Sequence, residues 1–174
     1  MAQPTGSRVT IAYTTTSGIV EAFEVGLDNG TLHKLLFSLQ LEVENPTTKT
    51  VAPCAANSVA ILPDHIAVTG DDGSLRLANL QGVWITKAIR HFAAAVKVIS
   101  LPKQNCLLTL GADHRLLLWQ VGEGGEVFVL SETTLTGLGD PQNMSLLPTN
   151  KAEKAYLVMV CGSGLQLCYF KFDK

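Results

Sequence analysis

The chain has few aromatic residues, 6 %, and few charged residues, 16 % of its 174. Its net charge is −2, so the chain has no excess of basic residues such as dedicated nucleic-acid-binding domains usually carry. No stretch reaches the roughly 18 consecutive apolar residues of a membrane-spanning helix, and the first eight residues lack the apolar segment of a secretory signal. The hydrophobic content, 47 %, excludes a disordered chain and is enough for one ordinary domain.

Cysteine is also scarce. The four cysteines form no CxxC pair and lie near no histidine at the spacing of metal ligands; they are Cys54, Cys106, Cys161 and Cys168. A disulfide framework is therefore not expected in a chain of this length, and we predict no metal site. Free thiols and the missing signal favour the cytoplasm or the nucleus.

The apolar residues show little helical periodicity. They lie instead in short runs rich in Val, Ile, Leu and Thr, separated by Gly, Asp, Asn and Pro, which is the pattern of many short strands. Some runs, such as Leu116-Leu117-Leu118, are apolar on both faces, as expected of strands between two neighbouring sheets. We therefore predict an all-β fold.

A turn followed by a strand recurs four times, and each strand carries a position for a large side chain. These positions are Phe23, Ala78, Trp119 and Tyr169, separated by 55, 41 and 50 residues. Repeats of about 40–45 residues with four strands each are typical of β-propeller blades.

The third unit carries the most specific motif. Arg90-His91 precedes an apolar strand that leads to Pro102, a second strand ends in Leu108-Thr109, a turn holds Asp113, and a third strand ends in Trp119-Gln120. This unit resembles the Trp-Asp (WD) repeat, with Arg90 in place of the usual Gly and Gln120 in place of the final Asp. The resemblance assigns a structural hydrogen-bonding tetrad to His91, Thr109, Asp113 and Trp119.

What the resemblance implies is an incomplete WD-repeat propeller of about three and a half to four blades. The expected units are residues 8–45, 50–89, 90–135 and 139–174, after a disordered segment 1–7. The first unit then lacks its inner strand and the last ends on its third strand, as in the C-terminal half of a larger propeller. Two copies that pair, or a partner that supplies blades, would also complete the ring.

Catalytic and cofactor sites find no support in the sequence. His91, Asp113 and Thr109 could suggest a triad, but the resemblance buries them inside a blade. The glycine-rich residues 122–125 and 162–164 are not followed by a helix, so we interpret them as turns between strands and not as phosphate or nucleophile loops. Asp71-Asp72-Gly73 lacks the further acidic ligands of a calcium loop.

The resemblance therefore predicts a non-enzymatic scaffold that binds other proteins and has no cofactor. Candidate contact residues are Trp84, Arg90 and His114, which flank connections between units. The alternative is an accessory subunit of an RNA-modifying or RNA-processing enzyme, because Lys87, Arg90, His91 and Lys97 could form a small basic spot. No membrane partner is expected.

Overall fold

The computed structural model describes the backbone of residues 2–5, 8–27, 32–101, 104–147 and 155–171. Side chains are described for 8–27, 34–101, 104–147 and 155–170. Every regular element in these ranges is a strand, so the predicted all-β class is confirmed. Pro102 of the WD-like motif lies outside the described residues.

The strands form five small antiparallel sheets, and strands that follow one another in the chain are neighbours in the sheet. The first sheet contains β1 (Ala2–Thr5), β2 (Arg8–Thr14), β3 (Ile19–Gly26) and β4 (Leu32–Gln40). A separate hairpin follows, β5 (Glu42–Glu44) and β6 (Val51–Pro53). The second sheet contains β7 (Ala56–Ile61), β8 (His65–Gly70), β9 (Ser74–Asn79) and β10 (Trp84–Ile89). The third contains β11 (Ala95–Leu101), β12 (Cys106–Gly111), β13 (Arg115–Val121) and β14 (Val127–Thr134). The fourth contains β15 (Gly139–Leu147) and β16 (Ala155–Lys171).

These four larger sheets pack in the order of the chain, with β2 against β7, β7 against β11, and β11 against β15. A separate hydrophobic cluster fills each of the three spaces between them. Ala22 and Val68 belong to the cluster between the first and second sheets, and Leu77 and Leu117 belong to the cluster between the second and third. The core is therefore a series of layers and not one central cluster.

The third sheet shows why its strands are apolar on both faces. Leu117 is fully buried against the second sheet, whereas Leu116 and Leu118 on the same strand are buried against the fourth. Successive side chains of a strand point to opposite faces, so a sheet with a neighbour on each side needs apolar residues at every position. The prediction drawn from these three leucines is confirmed.

Two predicted boundaries differ from the structure. Residues 1–7 were expected to be disordered, but Ala2–Thr5 forms β1 and pairs with β2, so the first sheet has the inner strand that it was expected to lack. Met1, Gly6 and Ser7 lie outside the described residues. The expected first unit, residues 8–45, is also divided, because the ladder with β3 ends at Gln40 and β5 pairs with β6 instead.

The expected turn at residues 162–164 lies inside the single long strand β16. A straight strand of that length would extend for roughly 55 Å at about 3.3 Å per residue. Val158 and Phe170, near its two ends, nevertheless pack in the same cluster. The strand must therefore bend, and Gly164, with φ of 135°, supplies a conformation that suits glycine.

The aromatic position of the last unit is displaced by one residue. Tyr169 was expected to occupy the position of Trp119, but its side chain is 57 % exposed and the neighbouring Phe170 is buried against the third sheet. A shift of one residue moves every side chain of a strand to the opposite face. Both residues are aromatic, so the sequence pattern could not distinguish the two registers.

Truncation of one buried side chain should test this layered arrangement. We expect Leu117→Ala to lower the free energy of unfolding by about 3 kcal/mol, because it opens a cavity between two sheets that cannot close over it. Leu130→Ala is the matched control, since Leu130 is half-exposed on β14, and it should change the free energy by less than about 0.5 kcal/mol. Denaturant unfolding of the two variants measures both; equal costs would contradict a layered core.

A buried hydrogen-bond network that fixes an exposed loop

The structure brings together the four side chains that the WD resemblance singled out. His91 lies in the connection from β10 to β11, Thr109 on β12, Asp113 in the turn that follows, and Trp119 on β13. His91 Nδ1 is 3.0 Å from Asp113 Oδ1, and His91 Nε2 is 2.8 Å from Thr109 Oγ1. Trp119 Nε1 is 2.8 Å from the same hydroxyl oxygen. The network therefore joins one loop, one turn and two strands.

Elementary hydrogen-bond chemistry fixes the direction of every proton in the network. An ionised Asp113 only accepts, so His91 Nδ1 carries the proton. The other ring nitrogen of a neutral imidazole is then an acceptor, and the Thr109 hydroxyl donates to it. The Trp119 indole, which only donates, gives its N–H to Thr109. Each polar group has a partner, as buried groups require.

Burial keeps this network in one protonation state. The His91 side chain is only 1 % exposed, and this burial lowers the pKa of the imidazole more than the neighbouring Asp113 raises it. Burial would raise the pKa of the Asp113 carboxyl, but hydrogen bonds from the Phe92 amide and from His91 outweigh it and lower the pKa. A neutral histidine beside an ionised aspartate matches the proton directions above.

The same aspartate holds the adjoining loop. Asp113 Oδ2 accepts the backbone N–H of Phe92 at 2.8 Å, and Asp113 Oδ1 accepts that of Arg115 at 3.2 Å. The Arg115 guanidinium donates to the Arg90 carbonyl at 2.6 Å and lies 4.5 Å from the centre of the Phe92 ring. Phe92 itself is 87 % exposed, the highest value among the exposed large hydrophobic residues described.

Thr109, His91 and Asp113 are connected in the order of a nucleophile, a general base and the carboxylate that orients the base. The environment differs from a reactive site, because Thr109 is fully buried and its oxygen already accepts the indole N–H of Trp119. A cavity of about 190 Å³ reaches His91 and Phe92 but is not lined by Thr109. The geometry therefore suits a structural support.

The second sheet has a different network around the corresponding turn. Asp72 precedes β9 as Asp113 precedes β13, but Ala78 stands at the tryptophan position. Asp72 Oδ2 instead contacts Arg76 at 2.7 Å and Lys87 at 2.8 Å, and Arg76 also donates to the Glu42 carbonyl. Burial would raise the pKa of Asp72, but hydrogen bonds from Lys87, Ser74 and Arg76 hold it well below its usual range.

The three predicted contact residues fall in two places. Trp84 is half-buried at the junction of the first two sheets, where its indole N–H donates to the Gln40 carbonyl at 3.4 Å. Arg90 is exposed beside Phe92, and His114 lies in the Asp113 turn with Nδ1 3.0 Å from the Leu138 carbonyl. Arg90 and His114 therefore flank the network, whereas Trp84 joins two sheets.

The proposed basic spot does not form as one cluster of free charges. Lys87 is ion-paired with Asp72, and His91 is buried with a pKa that favours its neutral form. Lys97 lines a different cavity, of about 410 Å³, between β7, β11 and β15. Arg90 is the one member exposed at the Phe92 loop, so the arrangement gives no support to an RNA-binding surface there.

Sequence reasoning missed Phe92 and Arg115 as members of this site. Phe92-Ala93-Ala94 reads as an apolar run that continues into a strand, and nothing in the run shows that its first ring faces solvent. The useful signal is positional, because Phe92 directly follows the network histidine and Arg115 follows Asp113 by two residues. Those positions lie at one edge of the sheet.

Comparison with protein-family models and with curated proteins finds no match to this chain. In the part of the chain that the structure describes, no helix is long and apolar enough to cross a membrane. In the same ranges, no group of three or more His, Cys, Asp or Glu side chains is placed to hold a metal ion.

Removal of one hydroxyl should test the network. Thr109→Val keeps the shape of the side chain but leaves His91 Nε2 and the Trp119 N–H without their partner. We expect a loss of about 1–3 kcal/mol in the free energy of unfolding, the usual cost of unsatisfied buried polar groups. Thr136→Val, at an exposed loop position, is the matched control and should have little effect. A neutral Thr109→Val would contradict the assigned hydrogen bonds.

The buried imidazole also predicts a pH dependence. The pKa of native His91 is below its ordinary value of 6.5, so the unfolded chain takes up the proton first as the pH falls. Stability should therefore be complete above pH 6.5 and decrease below it. Unfolding of the wild type and of His91→Gln between pH values of about 7.5 and 5.5 should show a steeper loss in the wild type. Equal slopes would show that His91 does not contribute.

Proposed function

We propose that this chain is part of a WD-type β-propeller and acts as a non-catalytic scaffold that binds other proteins. Three successive four-stranded sheets and a fourth, smaller sheet pack one behind the other, which is the arrangement of neighbouring blades. The side-chain network of the third sheet links the loop between two sheets to the turn inside one, as the WD resemblance implies.

The observation that supports a binding function is the solvent exposure of the Phe92 side chain. A large aromatic side chain normally gains free energy from burial, yet this one is 87 % exposed. Its backbone is held by Asp113 and its ring lies against Arg115, so little conformational freedom remains to be lost when a partner covers it. Exposed but ordered aromatic residues are typical anchors of protein interfaces.

The surroundings of Phe92 indicate the chemistry of the partner. Arg115 is already paired with Glu132 and Asp113, whereas Arg90 forms no ion pair with any described residue. The loop therefore presents an apolar ring beside one uncompensated cation. A partner with an apolar pocket and an acidic rim fits this surface, because burial of the ring would supply affinity and the charge would orient the contact.

Affinity purification with quantitative mass spectrometry tests the proposal. The tagged chain, Phe92→Ala and Phe128→Ala would be compared in parallel. We expect at least one protein to be recovered with the wild type and reduced about 30-fold or more with Phe92→Ala, the usual effect of losing a central anchor of about 2 kcal/mol.

Phe128 is the matched control because it is also an exposed phenylalanine, at 60 %, but lies on β14 opposite Gln120 and is not a member of the network. Phe128→Ala should recover the same protein in the same amount as the wild type. Recovery that is identical for all three chains, or no specific protein with the wild type, would reject the Phe92 loop as a binding site.

A further inference from the structure

A cleft of about 240 Å³ opens along β10 in the second sheet. The residues that line it are Arg76, Trp84, Ile85, Thr86 and Lys87, all from the middle of the chain. Two of these side chains are cations and one is an indole. The cleft therefore combines positive charge with an apolar wall, and the Phe92 loop shares none of its residues.

The two cations point to the same face of the second sheet. Leu75 and Leu77 pack in the cluster between the second and third sheets, so Arg76, which lies between them on β9, points toward the first sheet. Lys87 is the direct partner of Arg76 on β10, and direct partners in a ladder lie on the same face. Both cations therefore border the junction of the first and second sheets.

A bulge in β10 brings the indole to that face as well. Trp84 and Lys87 are three positions apart and would lie on opposite faces of a regular strand. The ladder with β9 shifts between Trp84 and Thr86, so Ile85 is an extra residue in β10. Trp84 consequently points toward the first sheet and packs in the cluster there.

The charges of the cleft do not cancel. Both cations are paired with one carboxylate, Asp72, whose Oδ2 lies 2.7 Å from Arg76 Nη2 and 2.8 Å from Lys87 Nζ. Glu42 contributes its backbone carbonyl to Arg76, and its carboxylate forms no ion pair with any described residue. Two positive charges against one negative charge leave one positive charge uncompensated.

Arg76 also keeps a free hydrogen-bond donor. Its side chain is only 7 % exposed; Nε donates to Ser74 Oγ, and Nη2 donates to Asp72 and to the Glu42 carbonyl. Nη1 has no hydrogen-bond partner among the described residues, whereas every fully buried side-chain nitrogen or oxygen in them has one. Solvent must therefore reach Nη1, and the cleft that Arg76 lines supplies the opening.

We propose that this cleft binds a carboxylate on a short apolar stem, either a glutamate side chain or the C-terminal carboxylate of a partner protein. The two carboxylate oxygens accept from Arg76 Nη1 and from Lys87 Nζ, and the stem lies against Trp84. One negative charge neutralises the excess positive charge. A phosphate group, with a charge of about −1.5 to −2, would leave an excess of negative charge.

The size of the cleft agrees with a single group of this kind. Pockets for drug-sized ligands and cofactors usually have roughly 300–1,000 Å³, more than the cleft offers. An arginine held by buried contacts is also preorganised, so little side-chain entropy is lost when the carboxylate binds. This proposal rests neither on the propeller arrangement nor on partner binding at Phe92.

The indole N–H of Trp84 provides the readout in a two-dimensional NMR spectrum of the full chain. Trp84→Phe assigns its signal, because Trp119 gives the second indole signal and is buried in a separate network. The probes are N-acetylglutamate α-amide for a side chain, N-acetylleucine for a chain terminus, the uncharged N-acetylglutamine amide, and inorganic phosphate. We expect at least one of the two acids to shift the Trp84 signal with a Kd of about 1 mM, as for a small fragment.

Three variants test the donors. Lys87→Gln removes the excess charge and one donor, so it should weaken binding of the acid at least fivefold, whereas Lys87→Arg should restore it. Lys97→Gln makes the same change in a different cavity and should bind as the wild type does. The dispersion of the backbone N–H signals shows that each variant keeps its fold.

The acid that binds identifies the source of the carboxylate. A Trp84 signal that neither acid shifts, that the uncharged amide shifts equally, or that phosphate shifts at least as strongly would overturn the proposal. Equal affinity of the acid for Lys87→Gln and for the wild type would do the same. Phe92→Ala should leave the titration unchanged, so the cleft and the partner site at Phe92 can fail separately.

Discussion

The carboxylate of Asp113 is the group on which the ordered edge of the third sheet depends. One of its oxygens accepts from His91 and from the Arg115 amide, and the other accepts from the Phe92 amide. Through His91 and Thr109 it is also connected to Trp119, deep between two sheets. A single ionised group thus couples the packing of the core to the position of an exposed aromatic ring.

A second constraint acts on the whole chain: a sheet that packs between two others must be apolar on both faces. The leucines of β12 and β13 meet this demand, with neighbours in sequence buried in different clusters. Each sheet added to such a series covers one apolar face and exposes another. The first and last of the described sheets carry apolar residues that solvent reaches.

Strands with strong β-branched or leucine-rich composition were predictable, whereas the members of the network were singled out only by the WD resemblance. The run Leu116-Leu117-Leu118 was expected in a strand between two sheets and lies in β13. In contrast, β15 contains Gly139, Asp140 and Pro141, which are poor strand formers, so only pairing with β16 defines it as a strand. The short β1 likewise depends on its ladder with β2.

The sequence by itself determined the all-β class and the apolar character of both faces of a strand that lies between two sheets, because periodicity, turn residues and composition are local properties. Only the tertiary structure decided that Phe170 and not Tyr169 faces the core, that Phe92 points to solvent, and that Lys87, Arg90 and Lys97 are separated. These outcomes depend on which surface a neighbouring sheet covers. That choice is made by contacts between residues far apart in the chain, which no local pattern records.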